Sequence, residues 1–424
     1  MEGSERYSQL VARARRSMEG DNLMMVREEP VLQQEKTPIT ELVDFILQEG
    51  VRENASDIHF EPQEGSVRIR TRVNGYMRTI FEAMPLDIYG NLISRFKIIC
   101  GLDIAEKRLP QDGRFAFCAG RDRSTLDIRL SVVPTITGEK IVLRLLNNKE
   151  SFKSLEQLDL SQGNLLAIQD IYSRGSGALL IAGPVNSGKT TTLYAILSML
   201  NREGGNIISI EDPVEYRMAG LNQIQINEKI SFSFEDALHA VLRQDFDCLA
   251  VGEIRSRQVA DMVISSALTG RRVYATIHTP GAVKTLHRLL DMGIKPYLLK
   301  AAVSGIVGQR LLRRLCPLCR VKYHVEEGSR EADFLGDMYE EKSIWYKASE
   351  TGCFNCNGSG YVGRIGIQEV LRGFLLAEAD GVEKAEGRED DDYYGNFADG
   401  SMREDGIRKA KSGQIELGEL MAIC

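Results

Sequence analysis

Nowhere in its 424 residues does the chain hold an apolar run approaching the roughly 18 residues that a membrane-crossing helix requires. Its opening residues, Met1 to Arg6, lack the apolar stretch of a signal peptide. Positive charge is not in excess. The net charge is -7, which argues against a general trap for nucleic-acid polyanions. No convincing internal repeat is present. These absences point to a cytosolic chain. There, eight cysteines argue against a disulfide framework and for metal-binding or plain core roles. What remains is ordinary for a soluble globular protein, 43% hydrophobic and 27% charged, and the length suggests two to three domains.

The most informative stretch runs from Gly183 through Pro184, Val185, Asn186, Ser187, Gly188 and Lys189 to Thr190. It matches G-x-x-x-x-G-K-[ST], the phosphate loop. An apolar run of buried-strand type, 177–182, precedes it, and a helical pattern follows from Lys189 through Thr190 and Thr191 to Leu200. Strand, glycine loop and helix is the context in which loop amides and a helix N-terminus meet a polyphosphate. Lys189 is then expected on the β- and γ-phosphates, and the Thr190 hydroxyl on Mg²⁺. Asn186 stands where many such loops carry glycine; asparagine tolerates the left-handed backbone, so the loop is expected to survive.

The rest of the chain divides by pattern. Residues 1–36 read as a loose helix or disordered arm, and 37–148 as an α+β domain. In that domain Val67 to Val73 alternates apolar and basic residues, which places Arg68, Arg70 and Arg72 on one face. Asn74-Gly75 then signals a hairpin turn. A linker is expected over 149–159. From 160 to 310 strands alternate with helices, which implies a parallel sheet with crossover helices. Glu211, Glu253 and His278 all fall at strand C-terminal ends, the edge where open α/β sheets bind ligands. The character changes over 311–370, a tetracysteine segment. Residues 371–424 form a C-terminal region whose 378–392 stretch is an acidic insertion, expected to be solvated or disordered.

Cys316, Cys319, Cys353 and Cys356 form two C-x2-C pairs separated by residues 320–352. Such pairs read as a closed structural zinc site, with a helical insertion filling the gap. His324, between the pairs, is a weaker alternative ligand. Cys100, Cys118 and Cys248 read as small core residues. NTP hydrolysis needs Mg²⁺ and a group that orients or deprotonates water. Glu211 and Glu253 are the candidates to divide that labour, in either order, and His278 is placed to polarise or sense the γ-phosphate.

At this point the motifs resemble one family. Ser56-Asp-Ile-His-Phe-Glu-Pro62, Arg108 to Arg114 and Gly138 to Leu146 look like its N-terminal domain. Ile210 to Glu215 resembles its Asp box, Val251-Gly-Glu-Ile-Arg255 its atypical Walker B, and Ala275 to Thr279 its His box. The family is the secretion-superfamily ATPases, of the type II secretion and type IV pilus assembly branch. The match covers roughly 38–370 and resumes at 402–406. It implies an α/β fold: a RecA-like P-loop core, preceded by a PAS-like α+β domain and followed by a zinc subdomain and a helical C-terminus. It implies a cytoplasmic homohexamer that binds ATP between its two domains, lies at the inner face of the cell membrane against a platform protein, and serves pilin or pseudopilin fibres. No direct nucleic-acid partner is expected. The resemblance also promotes Arg70 and Arg72 to phosphate-contacting candidates, and the tetracysteine segment favours assembly or secretion over pilus retraction. Four positions depart from the family pattern: Asn74, Phe246, Ser256 and Pro280. Relatives often carry a further N-terminal docking domain, for which 1–36 leaves no room. The rival readings are a nucleotide-gated scaffold without turnover and a conjugation-type nucleic-acid motor.

Overall fold

Thr37 starts the first long helix because its hydroxyl accepts from the Thr40 amide, and Pro38 at the first helical position has no amide to leave unpaired. The computed structural model describes residues 6–14, 37–119, 124–146, 154–201, 205–227, 230–373 and 398–424. The acidic insertion at 378–392 and most of the N-terminal arm lie outside the described residues. The chain forms two units, Met1–Ser151 and Phe152–Cys424. No described helix is long and apolar enough to cross a membrane.

In the first unit, helix α1 (residues 6–14) is followed by α2 (Pro38–Arg52), β1 (Asp57–Gln63), β2 (Ser66–Val73), β3 (Tyr76–Pro85), α3 (Leu86–Ile99), β4 (Gln111–Ala119), β5 (Ser124–Thr135) and β6 (Gly138–Leu146). The strands make one antiparallel sheet in the order β3-β2-β1-β6-β5-β4. Asn74 and Gly75 both take positive φ, 52° and 88°, which supplies the turn of the β2–β3 hairpin. Burial alternates along β2 as the sequence pattern demands: Val67, Ile69, Thr71 and Val73 face the core and the three arginines face away. Helices α2 and α3 cover the apolar face. The described part of the arm, 6–14, is helical. Tyr7, Leu10 and Ala14 enter this core, and Tyr7 stacks on Phe81. Cys118, expected in the core, is exposed: β4 is an edge strand.

The second unit runs α4 (Gln162–Ser173), β7 (Gly177–Ala182), α5 (Lys189–Leu200), β8 (Ile207–Glu211), β9 (Asn222–Gln225), α6 (Phe234–Val241), β10 (Cys248–Val251), α7 (Arg257–Leu268), β11 (Arg272–Ile277), α8 (Ala282–Asp291), α9 (Pro296–Ala302) and β12 (Val303–Leu315). After these come β13 (Val321–Tyr323), α10 (Arg330–Leu335), β14 (Trp345–Lys347), β15 (Tyr361–Arg372), α11 (Met402–Lys411) and α12 (Leu417–Met421). Seven strands order as β15-β12-β7-β11-β10-β8-β9. All neighbours are parallel except β15, which runs antiparallel to β12. The central strands are apolar throughout because both faces are covered: Leu180, Val251 and Ala275 pack in one core, and Leu179, Ala250 and Tyr274 in the other. Cys248 belongs to the second core, as expected. The boundaries expected after 310 and 370 fall inside β12 and β15, so both strands carry the sheet into the tetracysteine segment. That segment is filled by the short α10 and the β13–β14 ribbon.

Candidate nucleotide and metal sites

Because β7, β11, β10 and β8 are adjacent and in register, their ends lie side by side: Ala182 opposite Ile277, Ala275 opposite Val251, Val251 opposite Ile210. The phosphate loop, His278, Glu253 and Glu211 follow those ends in that order. In the loop, Asn186 takes φ 63° as expected, and Gly188 at the start of α5 takes φ 86°. Gly183 is required sterically, since a Cβ there would lie 2.3 Å from the Ser187 hydroxyl and 2.5 Å from the Gln309 carbonyl oxygen. Thr190 is half-buried at the first turn, and Thr191 and Pro184 are exposed.

Lys189 lies under the loop. Its ammonium donates to the carbonyls of Gly183 and Pro184 at 2.8 Å each and approaches His278 Nδ1 at 3.4 Å. Burial pulls this lysine down to about 8, against the opposing pull of the Glu253 charge. His278 Nε2 is 3.1 Å from Glu253 Oε1. A neutral ring that donates there accepts from Lys189 at Nδ1. Glu253 Oε2 accepts from Arg255 Nε at 2.7 Å, and Arg255 Nη1 reaches Asp212 at 3.0 Å. Lys189, His278, Glu253, Arg255 and Asp212 are therefore one contact chain across the strand ends.

Glu211 is placed differently. It is 5% exposed and accepts from three neutral donors: the Tyr194 hydroxyl at 2.5 Å, Ser209 Oγ at 2.6 Å and Gln223 Nε2 at 3.2 Å. Burial first, then the Glu211 charge, drive the Tyr194 phenol far above its usual range. Sequence reasoning missed these donors, and it missed Asp212 and Arg255 as members of the site. It also missed Gln309. That buried side chain on β12 accepts from Thr192 and donates to the Ser187 carbonyl, both at 2.7 Å, and so ties α5 to the phosphate loop. A lone glutamine inside the apolar β12 pattern was the available signal.

Three of the departing positions keep a local role. Asn74 holds the positive-φ turn. Ser256 caps α7 by accepting from the Val259 amide, a task serine and aspartate share. Phe246 is buried beneath the Arg271 guanidinium, 4.2 Å from its ring centre.

The arginine face of the first unit meets acids that the β2 pattern could not show. Glu61 on β1 pairs with Arg70 at 2.7 Å, Arg68 at 3.1 Å and Lys140 at 3.5 Å. Burial alone would raise the Glu61 carboxyl; the two arginine hydrogen bonds outweigh it and bring it to about 2. Asp57 pairs with Arg144 at 3.2 Å and Arg72 at 3.9 Å. Arg72 also donates to the Gly75 carbonyl. Five cations thus face two carboxylates, leaving positive charge in excess.

The four cysteine sulfurs lie within 4.8 Å of one another. The Cys316–Cys353 and Cys319–Cys356 separations are 3.7 Å each, and Cys353–Cys356 is 3.8 Å. A tetrahedron of thiolates about 2.3 Å from zinc has edges of about 3.8 Å, so the donor set fits Zn²⁺. The amides of Cys353 and Gly360 point at Cys356 Sγ. Burial opposes ionisation of that thiol, but these donors bring it down to about 6. His324 donates instead to the Ser343 carbonyl and is not part of the cluster.

A phosphate loop feeding a lysine, a histidine and a carboxylate along one edge of a parallel sheet defines a P-loop ATPase. A family model described as type II/IV secretion system protein matches residues 32–422, and the chain belongs to that family. The type II secretion system protein E of Pseudomonas aeruginosa is 38% identical over 92% of this chain and 76% of its own length. The type II secretion system protein HxcR of the same organism is 41% identical over 92% and 78%. The type IV pilus assembly ATPase PilB of Myxococcus xanthus is 39% identical over 91% and 67%. Among solved structures, the Legionella pneumophila ATPase DotB has a TM-score of 0.66 at 19% identity, covering 95% of this chain and 99% of its own. The pilus retraction motor PilT with bound ADP has 0.59 at 23%, covering 90% and 96%. These two likenesses bear on the fold.

Proposed function

We propose that this ATPase hydrolyses ATP to drive assembly of pilin or pseudopilin fibres, as a cytoplasmic homohexamer at the inner face of the membrane, docked on a platform protein. The contact chain from Lys189 through His278 to Glu253, at the strand ends beside the phosphate loop, is the observation that supports turnover over a passive scaffold. Lys189 and the loop amides hold the phosphates. The Thr190 hydroxyl and Glu253 carboxylate are hard oxygen donors suited to Mg²⁺, which when bound neutralises charge on the β- and γ-phosphates. His278, held by Glu253, presents Nδ1 toward the phosphate lysine. Glu211, held by Tyr194, Ser209 and Gln223, orients or deprotonates the attacking water. Arg70 and Arg72 add positive charge where negative charge develops. The thiolates of Cys316, Cys319, Cys353 and Cys356 hold a structural Zn²⁺ with no open position for catalysis.

Phosphate release tests this reading. Lys189→Ala is expected to lower kcat by about 10²-fold or more, since a transition-state contact in a dry site is lost. Glu211→Gln should bind ATP with Mg²⁺ but turn over slowly, whereas Glu253→Gln should shift the Mg²⁺ concentration needed for half-maximal rate. The reverse pattern in the Mg²⁺ titration would exchange the two carboxylates. Wild-type turnover by Lys189→Ala would end the assignment, and stimulation by DNA would favour a nucleic-acid motor.

A further inference from the structure

Glu369 on β15 stands outside the site described above, yet it is a carboxylate only 8% exposed. Its Oε1 accepts from the Ala282 amide at 2.7 Å and its Oε2 from the Met402 amide at 3.0 Å. Those are the first amides of α8 and α11. Two helix N-termini thus converge on one carboxylate, which offsets the partial positive charge of both. Helix α8 has no cap of its own: Gly281 occupies the cap position without a side chain. Room for the carboxylate is built in. A Cβ on Gly281 would lie 2.8 Å from Glu369 Oε1, and one on Gly308 would lie 2.6 Å from it.

What α8 carries at its start is the loop that begins at His278. The loop is pinned from within as well. The hydroxyls of Thr279 and Thr285 meet at 2.6 Å, and Thr285 donates to the Gly281 carbonyl. With α8 anchored, the span from Thr279 to Gly281 leaves His278 little freedom to leave Glu253 and Lys189. We infer that Glu369 is a positioning residue for ATP hydrolysis, fixing the His278 loop through the start of α8 and tying that loop to the helix that begins at Met402. The inference rests on the catalytic part proposed for His278.

The test is a double-mutant cycle on the full-length protein, read as kcat and KM for ATP with Mg²⁺. Glu369→Gln keeps the volume but turns an NH₂ toward one of the two amides, so one bond is lost. Displacement of a catalytic group by a fraction of an ångström to an ångström is expected to lower kcat by about 10- to 10²-fold with KM little changed. In a His278→Ala background the same substitution should leave kcat nearly unaltered. Gly308→Ala, which pushes a methyl onto the carboxylate, should reproduce the kcat loss with Glu369 itself unsubstituted. Wild-type kcat for Glu369→Gln, or equal losses with and without His278, would overturn the inference alone. Wild-type kcat for His278→Ala would remove the reading of His278 and the inference with it.

Discussion

Lys189 shows how a single residue can be tuned by where the sheet puts it. Burial holds its ammonium down to about 8, while bound phosphates favour the charged form. Below pH ~8 the lysine is already charged before nucleotide arrives, and binding needs no proton. Above it, part of the free protein has a neutral lysine that must take up a proton on binding. Affinity for ATP should therefore be flat below about pH 8 and fall as pH rises through it, by at most about tenfold per unit for one proton. Calorimetry near pH 9 in two buffers of different ionisation enthalpy reads the uptake directly. Equal heats, with unchanged affinity, would refute it. Glu211 teaches the opposite lesson. Ser209 is its neighbour on β8, but Tyr194 on α5 and Gln223 on β9 lie 17 and 12 residues away, so no local window of sequence could reveal that all three hold it.

At the scale of elements, β2 was legible because its period of two is a local property, and its companion acids were not because they lie across the strand pair. Arg70 faces His59 and Arg68 faces Glu61 in the β1–β2 register, a pairing set by the hairpin connection. The phosphate loop and the strand ends were legible for the same local reason. The strand limits of β12 and β15 were not, because arginines such as Arg310, Arg313 and Arg314 interrupt an apolar pattern that the antiparallel pair continues regardless. The arginine face carries its own prediction. On the proposed reading, in which their charge acts in the transition state, Arg70→Ala with Arg72→Ala should lower kcat while ATP affinity weakens only modestly. The fold should hold. Glu61 keeps Arg68 and Lys140, and Asp57 keeps Arg144. Unaltered turnover in a protein with wild-type thermal stability would leave these arginines no part in the reaction.

Across the second unit, the cysteine cluster and the sheet share their strands. Leu315 ends β12 next to Cys316, and β15 starts at Tyr361, five residues after Cys356. The cluster therefore sits at the foot of the β12–β15 pair, and β12 leads from there to Gln309 under the phosphate loop. Cys353→Ser is expected to lower zinc content from one per chain and to loosen the region after 310, read as earlier thermal unfolding and protease cleavage there. Metal-free protein of undiminished stability would rule this out. The same layout bears on synthesis at the ribosome. Strand β12 is made 46 residues before β15 begins (361 minus 315), roughly 2–9 s at 5–20 residues per second. During that interval the nascent sheet ends in a row of unpaired amides and carbonyls, the kind of edge that recruits other chains. Capture of zinc as soon as Cys356 emerges would draw β15 onto β12 and end the exposure. Stalled nascent chains offer the check: those with β12 outside the tunnel but β15 still inside it should be cut by protease within 303–315, and those with β15 outside the tunnel should be cut there only when zinc is chelated.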